Sequence, residues 1–385
     1  QENHRRITMA TSSIFLSRTA KMFVHFDTNE VFEIPILEGY SFSQAMNTSE
    51  VTLSEANTAG GVSRRGRKLF NNSLAPVEFS FSTYVRPFVS AGSGTGAADD
   101  ATMTHGVEEV LWALMAGADT YTTGAFLSGS NAITVPAADT NPISFAHSNK
   151  AQLKTGAKLI FQLEEEDSDA GTLQYTITEI AINEATVDFD IEGIATIQWS
   201  GMGTGITEAD NATAITADIY EGVSTTTAFI QNRLSTLTLD PTDGQTGLSN
   251  SAYTLTLTGG SITISNNLTF LTPEELAVVN KPIGHVTGTR SVTGTLNCYL
   301  DDSGANTSSA LFSALASATT LTQNEFALNI GIGGLTGTPS LKFTVPQAHL
   351  QVPTHSFDDV VSLEVTFDGV PSTFDAADEI SLTYK

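Results

Sequence analysis

The stretch Thr186-Val187-Asp188-Phe189-Asp190-Ile191-Glu192-Gly193 alternates apolar and acidic residues without a break. Period-two alternation of this kind is typical of a β-strand that has one buried face and one solvated face. The apolar residues would face a core, and the solvated face would carry three carboxylates: Asp188, Asp190 and Glu192. The stretch therefore predicts a sheet with an acidic exposed surface.

A second stretch with the same form lies near the C-terminus, at residues 362–369. Leu363, Val365 and Phe367 alternate there with Glu364, Thr366 and Asp368, and a glycine ends both stretches. If the two stretches are equivalent, Glu364 and Asp368 belong to the same acidic surface as the first three carboxylates.

Other segments also match between the two parts of the chain, in the same order. The best match aligns residues 172–182 with residues 340–350 without a gap, and residues 77–85 similarly match 292–300. Internal repetition of this kind indicates a duplicated unit. We expect a first domain over residues 10–205 with an insertion at about 118–156, a linker over 206–224, and a second domain over 225–385.

The composition favours an all-β protein with one short helix in each domain. Alternating segments and glycine-rich turns recur along the chain, as in a β-sandwich or a barrel-forming sheet. Residues 106–116 instead space apolar residues at helical intervals, with Gly117 at the expected C-cap, and residues 310–316 repeat this pattern in the second half. Each helix is expected to lie across a sheet or to close the end of a sandwich.

Charge is distributed unevenly along the 385 residues, whose net charge is −25. Residues 1–90 hold 9 Lys/Arg and 8 Asp/Glu, whereas the remaining residues hold 8 and 34. A surface this acidic repels nucleic acid, which argues against a protein that reads or packages DNA. It would suit a path along which DNA slides without sticking.

The four basic residues Arg64, Arg65, Arg67 and Lys68 form a cluster in a long polar segment between predicted strands. A solvated loop is the simplest interpretation. A nucleic-acid patch is disfavoured, because Phe70 alone could supply the stacking that such patches use. A third possibility is an electrostatic clamp onto an acidic neighbour, such as another copy of the chain.

The sequence contains no pattern typical of catalysis, of metal binding or of cofactor binding. The seven histidines show no ligand-type spacing, and no phosphate loop or nucleophile elbow is present. The single cysteine, Cys298, excludes an intrachain disulfide and is expected to be buried in a strand. No apolar run approaches the ~18 residues needed to span a membrane. We therefore expect a structural protein, not an enzyme, with no cofactor and no membrane partner.

The order of elements resembles that of the tail tube (major tail) proteins of long-tailed bacteriophages. The resemblance rests on the segment 56–72 between strands, the strand at 77–85 followed by the helix at 107–116, and the closing strand at 186–199. It implies that each subunit contributes a sheet to a barrel around a hollow lumen, that rings stack into a tube, and that the lumen is electronegative. It also implies a virion location, with assembly in the host cytoplasm.

The duplication leads to a more specific expectation about assembly. Tube rings of this family are normally hexamers of one domain, so three two-domain chains would form a trimeric ring with pseudo-sixfold symmetry; a hexameric ring is the alternative. The acidic strands would line the lumen, and residues 64–68 would reach the next ring. DNA and a tape measure protein would pass through, and a sheath, a baseplate and a terminator are further possible partners.

Two other readings share parts of this pattern. A surface adhesin or fibre of tandem immunoglobulin-like domains would have the same acidic, threonine-rich composition, but it does not account for the matched helices. A capsid decoration protein or baseplate hub would share the virion context. Electron micrographs would separate them, since only a tube protein forms long hollow tubes.

Overall fold

Strands dominate the computed structural model. It describes residues 15–385 except 52–67, 90–103, 123–124, 135–141, 165–171, 218–228, 243–246, 249–250, 278, 318–323, 335–338 and 375. Two α-helices are present in the described residues, α1 at Glu109–Met115 and α2 at Ser308–Leu315. Both helices lie where the sequence predicts them, which confirms an all-β fold with one short helix in each half.

The described residues of the first half form fifteen strands. In chain order they are β1 Ala20–Asp27, β2 Glu30–Ile34, β3 Ser41–Val51, β4 Lys68–Tyr84, β5 Pro87–Val89, β6 Thr104–Gly106, β7 Thr120–Thr122, β8 Ala125–Ser128, β9 Asn131–Thr134, β10 Ile143–Ser144, β11 Lys158–Leu163, β12 Thr172–Thr178, β13 Ala181–Asp190, β14 Thr196–Gly203 and β15 Gly205–Ala212. The expected linker at 206–224 thus begins inside a strand, because β15 pairs with β12.

Ten strands follow in the described part of the second half. They are β16 Thr236–Pro241, β17 Leu257–Ser265, β18 Thr269–Leu271, β19 Gly284–Val286, β20 Ser291–Tyr299, β21 Phe326–Ile332, β22 Leu341–Leu350, β23 Thr354–Phe357, β24 Val361–Val370 and β25 Ser381–Tyr384. Cys298 lies in β20 and is fully buried, as the sequence predicts.

One antiparallel sheet runs through both halves. Its main path has the strand order β10-β25-β22-β24-β20-β17-β13-β14-β4-β3, with β16, β21 and β23 paired alongside. The two halves meet where β13 pairs with β17, over seven residue pairs from Glu184–Ser265 to Asp190–Gly259. The halves are therefore joined edge to edge and share a sheet.

A second sheet, with the order β15-β12-β11-β1-β2, covers the β3 end of the large sheet. Phe42 of β3 bridges the two layers, because its ring lies 4.9 Å from that of Phe161 in β11 and 5.3 Å from that of Tyr175 in β12. Aromatic side chains bury large apolar areas in this geometry. The first half is thus a β-sandwich, and one hydrophobic core extends from it into the second half.

The junction between β13 and β17 requires a glycine. Gly260 lies opposite Phe189, and a Cβ atom at this position would lie 2.4 Å from the carbonyl oxygen of Thr295 and 2.8 Å from the Phe189 ring. Phe189 therefore packs over bare backbone where the two halves meet, and a larger residue would force the strands apart.

Helix α1 is completely enclosed by its surroundings. Every residue from Glu109 to Met115 is buried, so the helix has no solvated face. It packs on β13 and β9, and its Trp112 contacts Tyr384 and Phe343 of the second half. Its C-terminus follows the prediction, since Gly117 adopts φ 90° and donates its backbone N–H to Leu114.

The segment 118–156, which the sequence predicts to be an insertion, packs against α1 and attaches to the second half through its described residues. Its strand β10 pairs with β25, and the buried Arg290 guanidinium donates to the carbonyl oxygen of Phe145 at 2.7 Å and also contacts Ser148 and Glu379. Thr287 donates to the carbonyl oxygens of Ala151 and Lys150. The insertion therefore ties the two halves together, which explains the complete burial of α1.

Candidate functional site

The acidic strand β13 belongs to a broad polar surface on the large sheet. We define the polar face as the residues of β3, β4, β14, β13, β17, β20 and β24 that point away from the core. Opposed residues in an antiparallel pair point to the same side of a sheet. One row therefore runs from Asp188 through Ser261 and Thr295 to Thr366, and a neighbouring row runs from Asp190 through Gly259 and Asn297 to Glu364.

The reverse side of these strands forms the core. Phe189, Gly260, Leu296 and Val365 make one row there, and all three side chains are 3% exposed or less. The alternation seen in the sequence thus separates a dry side from a wet side. The strands are held in this orientation because a slip of one residue would expose the whole apolar set.

The structure brings four of the predicted acidic residues onto the polar face: Asp188, Asp190, Glu364 and Asp368. β13 and β24 lie three strands apart, a distance of roughly 14 Å across the sheet. The two strands do not occupy equivalent places, because β13 pairs β14 and β17 whereas β24 pairs β20, β22 and β23. The sequence comparison was wrong to match residues 186–193 with residues 362–369.

Glu192 lies beyond the strand. β13 ends at Asp190, and the chain then bends, so Ile191 is 45% exposed instead of buried as the alternation predicts. Glu192 is exposed beside the polar face and lines the same concavity as Asp188 and Asp190.

Among the described strands of the polar face, Lys68 is the one cation, and it lies at the far end of β4 beside Glu50 of β3. From Glu78 across to β24 the charged residues are six carboxylates: Glu78, Glu184, Asp188, Asp190, Glu364 and Asp368. Most of its remaining positions are serine or threonine, such as Ser80, Ser82, Thr186, Ser261, Thr263, Thr293, Thr295 and Thr366. By contrast, Lys21 on the smaller sheet is exposed and pairs with Glu164 at 3.0 Å.

The hydroxyl groups of the polar face bond to one another across the strands. The Thr186 and Thr263 hydroxyls lie 3.0 Å apart across the β13–β17 junction, and those of Ser261 and Thr295 lie 3.1 Å apart. Gln198 donates to the Asp188 carboxylate at 3.0 Å. Groups paired in this way have fewer free donors for a passing molecule.

Partial burial raises the pKa of Asp188, and the negative charge of Asp190 on the same strand raises it further. The spacing of like charges along one face is therefore close enough for them to interact. Hydrogen bonding to Gln198 keeps Asp188 within this surface.

A shallow concavity of about 470 Å³ opens on the polar face where the two halves meet. Asp188, Asp190 and Glu192 line one side of it, and Ser261, Thr295 and Asn297 the other. In the described part of the chain, no group of three or more His, Cys, Asp or Glu side chains is arranged to hold a metal ion. Likewise, no helix there combines the length and hydrophobicity needed to cross a bilayer.

The basic cluster is only partly described. Arg64, Arg65 and Arg67 lie outside the described residues, whereas Lys68 begins β4, opposite Val51 of β3. Lys68 is exposed, and its ammonium group lies 5.1 Å from the centre of the Phe70 ring. The predicted inter-subunit segment therefore departs from the far end of the β3–β4 hairpin.

A second group of titratable residues is internal, at the N-terminus of α1. Tyr384 donates to the Glu108 carboxylate at 2.6 Å, and His105 Nδ1 lies 2.9 Å from Glu109. Burial raises the pKa of Glu108 to about 7. Sequence patterns did not predict this group, because Tyr384 reaches Glu108 only through packing between the two halves.

The fold and the polar face define a structural protein built around one extended antiparallel sheet. Its family is that of the phage tail tube protein, whose model matches residues 77–369. The chain belongs to this family and is a structural component of the virion tail, as the sequence predicts.

A specific relative supports the assignment over nearly the whole chain. Tail tube protein pb6 of Escherichia phage T5 is 30% identical to this chain over 378 residues, which cover 95% of the chain and 75% of pb6. The alternative of a surface adhesin is not favoured by either comparison.

Proposed function

We propose that the chain assembles into stacked rings that form a hollow tube, with the polar face lining the lumen. The observation that carries this proposal is the continuous surface that spans both halves of the chain and, in its described strands, has no Lys or Arg other than Lys68 at the far end of β4. The proposal assigns Asp188, Asp190, Glu192, Glu364 and Asp368 to the conduit wall.

The chemistry of the polar face suits the passage of DNA. Nucleic acid is held mainly through phosphate contacts with Lys and Arg, which release counterions from the phosphates. A wall of hydroxyl and carboxylate groups offers no such contacts and repels the phosphates at short range. DNA and a tape measure protein would then slide through without specific binding.

The two halves are proposed to be copies of one unit. The order β3-β4-β14-β13 in the first half parallels β17-β20-β24-β23 in the second, and each half places a short helix on the core side. In this correspondence β14 matches β24, and β13 matches β23. The pairing partners correspond as well. Gln198 lies between Ser82 and Thr186, and Glu364 lies in the same way between Asn297 and Thr354.

Two units per chain support a ring of three chains with pseudo-sixfold symmetry, with a ring of six chains as the alternative. Closing the sheet around the ring would cover the edges of the large sheet, which otherwise invite aggregation. Residues 64–68 would then reach an acidic surface of the adjacent ring. A sheath, a baseplate and a terminator remain proposed partners, and no enzymatic role is proposed.

New lysines on the polar face test the orientation of the sheet. Tubes of the Thr295→Lys/Thr366→Lys variant are expected to retain a short fluorescent DNA duplex at low salt and release it at high salt, whereas parent tubes retain little. The measurement is the fluorescence that sediments with the tubes as salt is varied.

A matched control carries the added charge on the other sheet. Thr207 and Ala209 of β15 are exposed there, so tubes of a Thr207→Lys/Ala209→Lys variant carry the same two added charges and are expected to differ in where the bound duplex lies. Duplex held by the polar-face variant should be protected from an added nuclease, and duplex held by the control should be degraded. Equal degradation in both variants would contradict the proposed orientation.

A further inference from the structure

Two strands lie at open edges of the polar face. β3 pairs with β4, β23 pairs with β24, and no described strand covers the other edge of either. Phe357 of β23 is 79% exposed, although its place in the strand alternation puts it on the core side of the sheet, opposite Val361. A large aromatic side chain on an open edge marks a surface that a partner covers.

The junction between β13 and β17 shows what such a partner would look like. By the correspondence of the two halves, β13 matches β23 and β17 matches β3. Thr186, Phe189 and Asp190 align with Thr354, Phe357 and Asp358. Phe189 is 3% exposed because β17 lies beside it, whereas its counterpart Phe357 has no such neighbour in the described residues.

The sequence around β3 supports the second part of this correspondence. Gly39-Tyr40-Ser41-Phe42-Ser43 matches Gly259-Gly260-Ser261-Ile262-Thr263 in small and hydroxyl positions. The pairing agrees as well, since Ser41 lies opposite Ser80 in β4 as Ser261 lies opposite Thr295 in β20. β3 therefore presents to its open side the same alternation that β17 presents to β13.

We propose that β23 of one chain pairs with β3 of a second copy, antiparallel and in the register of the internal junction. Thr354 then lies opposite Ser43, Ser356 opposite Ser41, and Phe357 opposite Tyr40 of the second copy. This inference rests on the proposed assembly into rings and names the strands and the register that close them.

The chemistry of the two edges fits this register. Thr354 and Ser43 replace the hydroxyl pair of Thr186 and Thr263, whose oxygens lie 3.0 Å apart, and Ser356 opposite Ser41 adds a second pair. On the core side, Phe357 meets Tyr40, whose ring already stacks on Phe161 at 5.2 Å. The polar face and the core would both continue from one chain into the next.

Cross-linking between single-cysteine variants tests the register. Variant chains Thr354→Cys and Ser43→Cys are mixed before assembly, the tubes are oxidised, and products are separated on a non-reducing gel. Directly opposed residues have Cβ atoms about 4.5–5.5 Å apart, near the range a disulfide needs. The native Cys298 is fully buried, so the parent chain serves as the uncross-linked control.

Two further variants calibrate the result. The double variant Thr186→Cys/Thr263→Cys places both cysteines in one chain, at the internal junction. A shift in the gel mobility of its monomer reports whether the geometry of this strand pair allows a disulfide. Thr354→Cys mixed with Ser41→Cys is displaced by two residues, about 7 Å along the strand. We expect covalent dimers from the in-register mixture to exceed those from the displaced mixture by about tenfold.

The outcomes distinguish the proposed strand register from the proposed assembly into tubes. Tubes in electron micrographs together with in-register dimers support both. If tubes form but the displaced mixture cross-links equally well, the proposed register is wrong. The register is also wrong if tubes form and neither mixture cross-links. In both cases the proposed assembly into a tube is retained. Failure of the parent chain to form rings or tubes overturns the proposed assembly and this inference with it.

Discussion

The indole Nε1 of Trp112 donates a 2.9 Å hydrogen bond to the hydroxyl of Tyr384, a residue 272 positions further along the chain. Trp112 lies in helix α1 of the first half, and Tyr384 lies in the last strand of the second. The Trp112 ring also meets Trp199 at 4.6 Å and Phe343 at 6.3 Å. These contacts join the two halves on the core side of the large sheet, behind the polar face.

Removing the Tyr384 hydroxyl should weaken this lock. The Tyr384→Phe substitution deletes the acceptor of Trp112 and the donor to Glu108, both of which are buried. We expect the free energy of unfolding to fall by about 1–3 kcal/mol in urea titrations of the unassembled chain. The Tyr299→Phe control, at a side chain that is 41% exposed, should change it by less than about 0.5 kcal/mol.

Glu108 predicts a pH dependence of stability. Burial raises the pKa of Glu108 to about 7 from an ordinary value of 4.5, so the folded chain binds this proton more tightly than the unfolded chain does. Its contribution to stability is therefore fully present below pH 4.5, declines as pH rises towards 7, and is lost above that.

The Glu108→Gln variant isolates this contribution, because glutamine keeps an acceptor for Tyr384 and carries no charge at any pH. Relative to the parent chain, it should gain on the order of 1–3 kcal/mol at pH 8 and almost nothing at pH 4. Unfolding curves at both pH values provide the comparison. A gain of equal size at both would show that Glu108 is not held neutral by burial.

Arg290 tests the role of the insertion. Its guanidinium, whose side chain is 6% exposed, joins the insertion through Phe145 and Ser148 to Glu379. Arg290→Ala leaves buried acceptors unpaired and should cost about 3–5 kcal/mol. Lys21→Ala, which breaks the exposed pair with Glu164, should cost less than about 1 kcal/mol. Similar losses in the two variants would argue against the insertion as a tie between the halves.

Charge reversal in the basic segment tests the proposed contact between rings. Replacing Arg64, Arg65, Arg67 and Lys68 by Glu should weaken stacking, because the facing surface is expected to be acidic. Electron micrographs should then show single rings or short tubes. Added salt, which screens the same charges, should likewise shorten tubes of the parent chain. Tubes of unchanged length would remove this segment from the contact.

The sequence predicts the strands, the helices and the separation of wet and dry faces well. Alternation shows which side of a strand is buried, as for Asp188 and Phe189, and helical spacing with Gly117 places α1. It does not show which strand lies beside which. The pairing of β13 with β17 was therefore missed, and Glu364 was matched with the wrong strand.

Burial by distant segments was the other feature beyond the reach of local patterns. Glu108, Tyr384 and Arg290 gain their roles only when the insertion and the second half close over α1. Hydroxyl pairs such as Thr186 and Thr263 likewise depend on long-range register. A visible signal was the run of serines and threonines at alternate positions of 77–85 and 292–300, which predicts a polar surface without naming its neighbours.

A cryo-electron microscopy reconstruction of assembled tubes would show which face of the large sheet lines the lumen. We expect a lumen lined by the polar face, with Asp188 and Glu364 pointing inward, three chains in each ring, and β23 of each chain beside β3 of the next. A reconstruction that places Asp188 and Glu364 on the outer surface of the tube would contradict this expectation.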